Sequence, residues 1–404
     1  MKLIVQKFGG TSVKDDHGRK MALNHIREAL KEQYKVVVVV SAMGRNGDPY
    51  ATDSLLNLLY GGSASISKRE QDMLLSCGET ISSVVFTSML KSEGIAAAAL
   101  SGAQAGFLTN EDFTNAKILD MKCERLRREL DRHDVVVVAG FQGAAKSGDI
   151  TTIGRGGSDT SAAALGAALD ADFIDIFTDV EGVMTADPRI VESAKPLTTV
   201  TYTEICNLAY QGAKVIHPRA VEIAMQAKVP IRIRSTYSSG QGTLVTSHHS
   251  EKLGSDLQER LITGIAHVPN VTQLNVTAKD GQYEVQTEVF KAMARAGISV
   301  DFFNITPSAV IYTVSEDVTD DAVRILKSMG YDPAVKRHCA KVSTVGAGIA
   351  GVPGVTAKIV TALSEEGIQI LQSADSHTTI WVLVKEEDMI SAVNALHSAF
   401  DLSE

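Results

Sequence analysis

Lys7-Phe8-Gly9-Gly10-Thr11-Ser12 follows directly on an apolar opening run, Leu3-Ile4-Val5. Adjacent glycines let backbone N–H groups come close to a phosphate, and a helix starting there would aim its positive end at the same anion. Lys7 adds a cation where charge builds up on a transferring phosphoryl group. The bland alternative is a turn at a strand end, because the stretch is not the GxxxxGK[ST] phosphate loop. Gly154-Arg155-Gly156-Gly157-Ser158-Asp159-Thr160-Ser161 is a second glycine-rich loop, leading into the Ala-rich stretch Ala162 to Ala168. Arg155 can grip a carboxylate in a two-pronged fork and Asp159 can pair with an ammonium group, so together they suit a zwitterion. Otherwise Ser158 or Asp159 simply caps the helix. Thr178-Asp179-Val180-Glu181-Gly182-Val183 and then Asp187-Pro188-Arg189 follow the run Phe173 to Phe177, where Asp179 and Asp187 could meet a ribose or Mg²⁺. Gly212-Ala213-Lys214 offers a second Lys to the phosphates of a nucleotide. Alone, each of these last two is an ordinary solvated turn.

Such loops need a scaffold, and the first 235 residues supply one. Val36 to Val40 and Val135 to Val138 are β-branched runs too short for helices, which suits strands buried on both faces of a parallel sheet. Helical patterns such as Lys20 to Gln33 and Gln71 to Ser92 lie between them. That alternation predicts an α/β sandwich with its ligands beyond the carboxyl ends of the strands. The polar segment 246–258 reads as a linker closing a catalytic domain at residues 1–245. Beyond it two units of βαββαβ design are expected, at 259–338 and 339–404. The second lacks its sixth element, and a strand at Leu261–Val268 is the candidate to complete it, with the first unit inserted. Gly346-Ala347-Gly348-Ile349-Ala350-Gly351 is formally a dinucleotide fingerprint, but too little chain follows for such a domain, so it reads as the first turn of the second unit.

The charge of −9 argues against a nucleic-acid partner, whose affinity rests on Lys and Arg. No continuous apolar run approaches the 18 or so residues that cross a bilayer, and no signal peptide precedes the first strand. Cys77, Cys123, Cys206 and Cys339 are scattered without metal spacing, which suits free thiols in a reducing cytoplasm. His248-His249 lies in a polar stretch and reads as solvated linker.

KFGGTSV at 7–13, Ser41-Ala42-Met43-Gly44, GRGGSDTSA from Gly154, TDVEGV with DPR, and GAKVIHPRA from Gly212 together resemble the signature set of the aspartokinases, in the amino-acid kinase superfamily. The resemblance covers the whole chain and implies an amino-acid-kinase sandwich followed by two ferredoxin-like ACT units, in the single-function form. It implies phosphorylation of the side-chain carboxylate of L-aspartate by ATP, with Mg²⁺ carried by the nucleotide and no metal ligand from the protein. Lys7, Gly9, Gly10 and Asp159 would be catalytic. Arg155 would take the α-carboxylate of aspartate, Glu79 and Asp159 would hold its amino group or organise Lys7, and Ser41 and Thr52 would line the pocket. Lys7, Gly10, Thr178, Asp179, Asp187, Arg189 and Lys214 would contact the nucleotide. Without the resemblance Glu79 would read as a helix-surface carboxylate.

The ACT pair implies a small amino-acid effector, with Asp280, Gln286, Asn304, Val352 and Pro353 as candidate contacts, and a homodimer. Met184 replaces the family's usual Tyr beside DPR, and Lys279-Asp280-Gly281-Gln282-Tyr283 replaces a usual Pro-Gly turn, whereas Val352-Pro353-Gly354-Val355 is intact. The pattern is most similar to the diaminopimelate-responsive type of spore-forming Gram-positive bacteria, against lysine or threonine response. Two competing readings are a kinase for N-acetylglutamate, which needs no partner for a free amino group, and an inactive amino-acid sensor. Retention of Lys7, Arg155, Asp159 and Lys214 argues against the sensor.

Overall fold

The computed structural model describes residues 2–59, 66–247, 261–278, 284–347, 349 and 352–404. Contacts divide the chain into two compact bodies, Met1–Val183 with Pro196–Ala209 and Lys214–Leu257, and Met184–Lys195 with Tyr210–Ala213 and Gln258–Glu404. Two short excursions of the chain before residue 246, Met184–Lys195 and Tyr210–Ala213, are thus grouped with the second body, and neither has a linker's composition. Residues 248–258, including His248-His249, and the segment 279–283 lie outside the described residues.

The first body is built on an eight-stranded sheet. Its centre is Leu3–Phe8, paired in parallel with Lys35–Val40 on one side and Phe173–Thr178 on the other. Val135–Ala139 continues the sheet beyond Lys35–Val40, and Ile231–Ser235 continues it beyond Phe173–Thr178, all in parallel. Val36 to Val40 have no measurable exposure, as expected for a strand covered on both faces. Pairing of Phe8 with both Val40 and Phe177 brings three strand ends level. The segments that follow, 9–13, 41–51 and 179–183, therefore open on one edge of the sheet. A smaller four-stranded sheet ends in the hairpin of Gln142–Ala145 with Ile150–Thr152, which feeds the loop before helix Gly157–Leu169.

Helix Lys68–Ser92 is long and apolar enough to cross a membrane by length and composition, although it is no continuous apolar run; half of its most apolar window is buried inside the protein. It buries Leu75, Phe86 and Leu90 in the core but also Asp72 and Glu79. Those two carboxylates lie two turns apart on one face.

In the second body the two expected units merge into one six-stranded sheet. Gly264–Thr277 and Ala334–Val345 are long continuous strands, where four shorter ones were expected. Residues 264–268 pair with 341–345, and residues 341–345 also pair with Thr379–Leu383 in the second unit. Residues 271–277 pair with Ala309–Ser315 in the first unit. A bulge near Val271, with His338 at φ 53°, marks the changeover. Each half has its own core, one around Tyr312, Val289 and Leu326, the other around Ile265, Ile359 and Leu396.

Candidate active site

Lys7 stands at the carboxyl end of the central strand, with Nζ 2.7 Å from Asp159 Oδ1. Both side chains are 13% exposed, so the pair faces little solvent. Gly10 is required beside it. A Cβ there would stand 2.5 Å from Gly44 O and 2.7 Å from Ala42 O, and Gly44 N–H already donates to Gly10 O at 3.0 Å. The loop after the first strand is thus clamped against the loop after the second, and backbone takes the place of any side chain.

Gly156 performs a similar task in the second loop. It caps helix Gly157–Leu169 at φ 66°, ψ 17°, a left-handed conformation natural to glycine, and a Cβ would meet the His217 ring at 2.2 Å. No side chain caps this helix, so the capping alternative for Ser158 and Asp159 is not realised. Asp159 instead turns to Lys7, and its other oxygen accepts from His217 N–H at 3.3 Å. His217 sits in the loop that also carries Lys214, which is exposed.

These loops enclose a cavity of about 380 Å³ that Lys7, Ser41, Thr52, Glu79, Arg155 and Asp159 help to line. Arg155 is exposed at its rim. Glu79 is 2% exposed; its Oε1 accepts from Ala42 N–H at 3.0 Å, while Oε2 is buried with no hydrogen-bond partner. Burial pushes its carboxyl up to about 8, against the lesser opposing effect of the Ala42 hydrogen bond. A cation reaching Oε2 would favour the ionised form, because it supplies what burial has removed, and would have to displace the proton.

Asp72, Thr114, Phe141, Thr152 and His217 also shape the site and were not singled out from the sequence. Asp72 is wholly buried and accepts from Thr114 N–H at 2.9 Å, Thr152 N–H at 2.8 Å and Thr152 Oγ1–H at 2.6 Å. It ties helix Lys68–Ser92 to two stretches that line the cavity. The signal was available in principle: an Asp in an apolar helical stretch, on the same face as Glu79. Asp72→Asn keeps the shape but turns an NH₂ toward one of those donors. The expected loss is about 2 kcal/mol of unfolding free energy, read as a lower urea midpoint at unchanged m-value.

Thr178 and Asp179 lie at the end of Phe173–Thr178, where Asp179 accepts from Arg45 at 2.8 Å and from Thr178 Oγ1–H at 3.2 Å. Asp187 and Arg189 belong to the second body and pair with each other at 2.7 Å, which holds the Asp187 carboxyl below its usual range. Of the effector candidates, Gln286 is half-buried in helix Val285–Arg295, Asn304 is exposed on strand Asp301–Thr306, and Val352 and Pro353 are exposed ahead of helix Val355–Glu365. Asp280 lies outside the described residues.

Residues 2–235 match the amino acid kinase family, and residues 334–398 match the ACT domain. The chain is 77% identical over 403 residues to aspartokinase 1 of Bacillus subtilis, with all of both chains covered. It belongs to the aspartokinase family. Among solved structures, E. coli aspartokinase III in complex with aspartate and ADP superposes with a TM-score of 0.80 at 26% identity, covering 98% of this chain and 99% of that one. The lysine and aspartate complex of the same enzyme, described as the T-state, gives a TM-score of 0.76 at 25% identity over the same shares. An amino-acid kinase domain here precedes ACT sequence. The cavity on Lys7 lies wholly in the kinase part of this aspartokinase, since its lining residues all fall within the first body.

Proposed function

We propose that this aspartokinase transfers the γ-phosphoryl group of ATP to the side-chain carboxylate of L-aspartate, under control of an amino-acid end product bound by its ACT units. The observation that carries this is the company Lys7 keeps: an ordered cation, paired with Asp159, in a cavity that also offers Arg155 and an unpaired buried oxygen of Glu79. In this reading Arg155 grips the α-carboxylate, Glu79 takes the ammonium group, and Ser41 and Thr52 line the pocket. Asp159 is then left to organise Lys7.

The nucleophile is a carboxylate of ordinary pKa near 3.9 and is ionised at neutral pH, so no general base is required. One carboxylate oxygen forms a bond to the γ-phosphorus while the bond to the β,γ-bridging oxygen breaks, and ADP leaves with its electron pair. The difficulty is bringing two anions together, and positioning with charge neutralisation is the remedy. Lys7 and the N–H groups of the Gly9-Gly10 loop supply positive charge at that point, and Mg²⁺ arrives on the nucleotide. Thr178, Asp179, Asp187, Arg189 and Lys214 are assigned to the nucleotide, and Gln286, Asn304, Val352 and Pro353, with Asp280, to the effector. A homodimer through the ACT units and a cytoplasmic setting complete the proposal; the four described cysteines are free, as a reducing compartment would keep them.

Initial-rate ADP release with Mg-ATP and L-aspartate tests it, repeated with lysine, threonine and meso-diaminopimelate added singly. Activity on aspartate that one of the three suppresses is the expected result; activity on N-acetylglutamate in place of aspartate would overturn it. Arg155→Ala is expected to raise KM for aspartate roughly 10- to 100-fold with KM for ATP little changed, as befits loss of a charge-assisted fork.

A further inference from the structure

Thr236 follows the strand Ile231–Ser235 and has no measurable exposure, yet each of its polar groups is engaged. Its N–H donates to Thr178 O at 2.8 Å, at the end of strand Phe173–Thr178. Its carbonyl oxygen lies 3.0 Å from His25 Nε2, and since a carbonyl can only accept, Nε2 carries the proton. The His25 ring is stacked on Phe177 at 4.4 Å, and burial holds it below its usual range, which keeps it neutral near pH 7. The Thr236 hydroxyl shares a 2.7 Å hydrogen bond with the hydroxyl of Ser12, which also has no exposure. One residue thus joins helix Asp16–Lys31, the Thr178 strand end and the loop after the first strand.

That loop is held by its carbonyls. Gly9 O accepts from Ser12 N–H at 2.9 Å and Gly10 O from Gly44 N–H at 3.0 Å. Thr11 O accepts from Tyr237 Oη–H at 3.1 Å, and Val13 O from the Arg19 guanidinium at 2.8 Å. A trans peptide sets its N–H opposite its C=O, so tying back the carbonyls of Gly9 and Gly10 turns the N–H groups of Gly10 and Thr11 away from those anchors.

We propose that Ser12, Thr236 and Tyr237 are positioning residues for phosphoryl transfer, holding the Gly9-Gly10 loop so that its N–H groups stand ready beside Lys7. This rests on the reading above that the loop meets the transferring phosphoryl group. Ser12 and Thr236 are buried outside the lining of the Lys7 cavity, so they act through the loop and touch no substrate. A loop with slack must be ordered again as charge develops, and its loosening should be felt in kcat. The aspartate pocket should be spared, as should the binding of ADP, which has no γ-phosphoryl group.

The test is steady-state kinetics and ADP titration calorimetry on the full chain with Thr236→Val, Thr236→Ser, Ser12→Ala and Tyr237→Phe, beside Gly9→Ala as reference. Gly9 is extended at φ −69°, and an added Cβ would stand 3.5 Å from Lys7 Nζ and 3.8 Å from Phe177 O, so Gly9→Ala folds but crowds the cation. Thr236→Val and Ser12→Ala are each expected to lower kcat by about tenfold. The double variant should be no worse than either alone, because both break one bond. Thr236→Ser keeps the hydroxyl and should hold kcat near wild type. Tyr237→Phe, at a side chain open to solvent, should lower kcat by about threefold. KM for aspartate and Kd for ADP should stay near wild type throughout. Should the buried variants fail to fold, Tyr237→Phe decides alone. If Gly9→Ala lowers kcat while the hydroxyl variants leave it untouched, the positioning role is wrong and the phosphate reading of the loop stands. If Gly9→Ala leaves kcat untouched, that reading fails and the proposal with it. Losses spread equally over kcat, KM for aspartate and Kd for ADP, with a lower melting temperature, would mark these residues as scaffold only and overturn the proposal.

Discussion

Lys7→Met is expected to cut kcat by about three orders of magnitude while the protein remains folded. The side chain is nearly isosteric through its Cε, so packing along the central strand is kept and only the charge is lost. Nζ lies beside Gly9, 3.5 Å from where a Cβ would stand, over the loop assigned to the phosphates. A cation so placed acts most on the state in which charge spreads across the transferring group, so the loss should fall on kcat more than on either KM. Asp159 complicates a single substitution, because removing Lys7 leaves a carboxylate 13% exposed without its partner. Asp159→Asn and the double variant resolve this. Asp159→Asn should lower kcat by about 10- to 100-fold through a less ordered Lys7, and the double variant should be little worse than Lys7→Met alone. A single-turnover rate within tenfold of wild type for Lys7→Met would remove Lys7 from the chemistry.

What the sequence made legible follows from where the information sits. The buried strands were plain because Val36 to Val40 and Val135 to Val138 have no surface on which to place a polar residue. The Gly10 and Gly156 loops were plain because close approach of backbone at Gly10, and a left-handed cap against the His217 ring at Gly156, leave glycine a composition signature. Asp72 was missed because a lone carboxylate in a helix usually faces water, and only the fold brings Thr114 and Thr152 to it. The merging of two regulatory units into one sheet was also hidden. Strand pairing across the bulge at Val271 is a long-range fact, and the local pattern there reads equally well as two short strands with a break. Least legible was the excursion Met184–Lys195, whose polar DPR turn gives no hint that Ala186 and Val191 are buried in a regulatory core.

Glu79 is expected to give aspartate binding a steep pH dependence with a sign opposite to its effect on stability. Its carboxyl is pushed from 4.5 to about 8 by burial, so near pH 7 it is mostly neutral. An ammonium group reaching Oε2 favours the ionised form, and binding must release that proton. KM for aspartate should fall as pH rises, by about 20-fold between pH 6.5 and 8.5, and level off above the Glu79 pKa. The amino group of free aspartate keeps its proton across that range, so the trend belongs to the enzyme. Stability runs the other way. A carboxyl raised on folding contributes most below its unfolded pKa near 4.5, and that contribution is lost as pH rises toward about 8, to the extent of roughly 4–5 kcal/mol. Glu79→Gln keeps an acceptor for Ala42 N–H and cannot ionise. It should flatten both profiles, weaken aspartate binding at pH 8.5 by about 100-fold, and unfold at higher urea than the wild type at pH 9. Urea midpoints and aspartate KM measured together from pH 6 to 9 check both halves. A wild-type KM for aspartate that does not change across this range would mean that Glu79 is not the partner of the ammonium group.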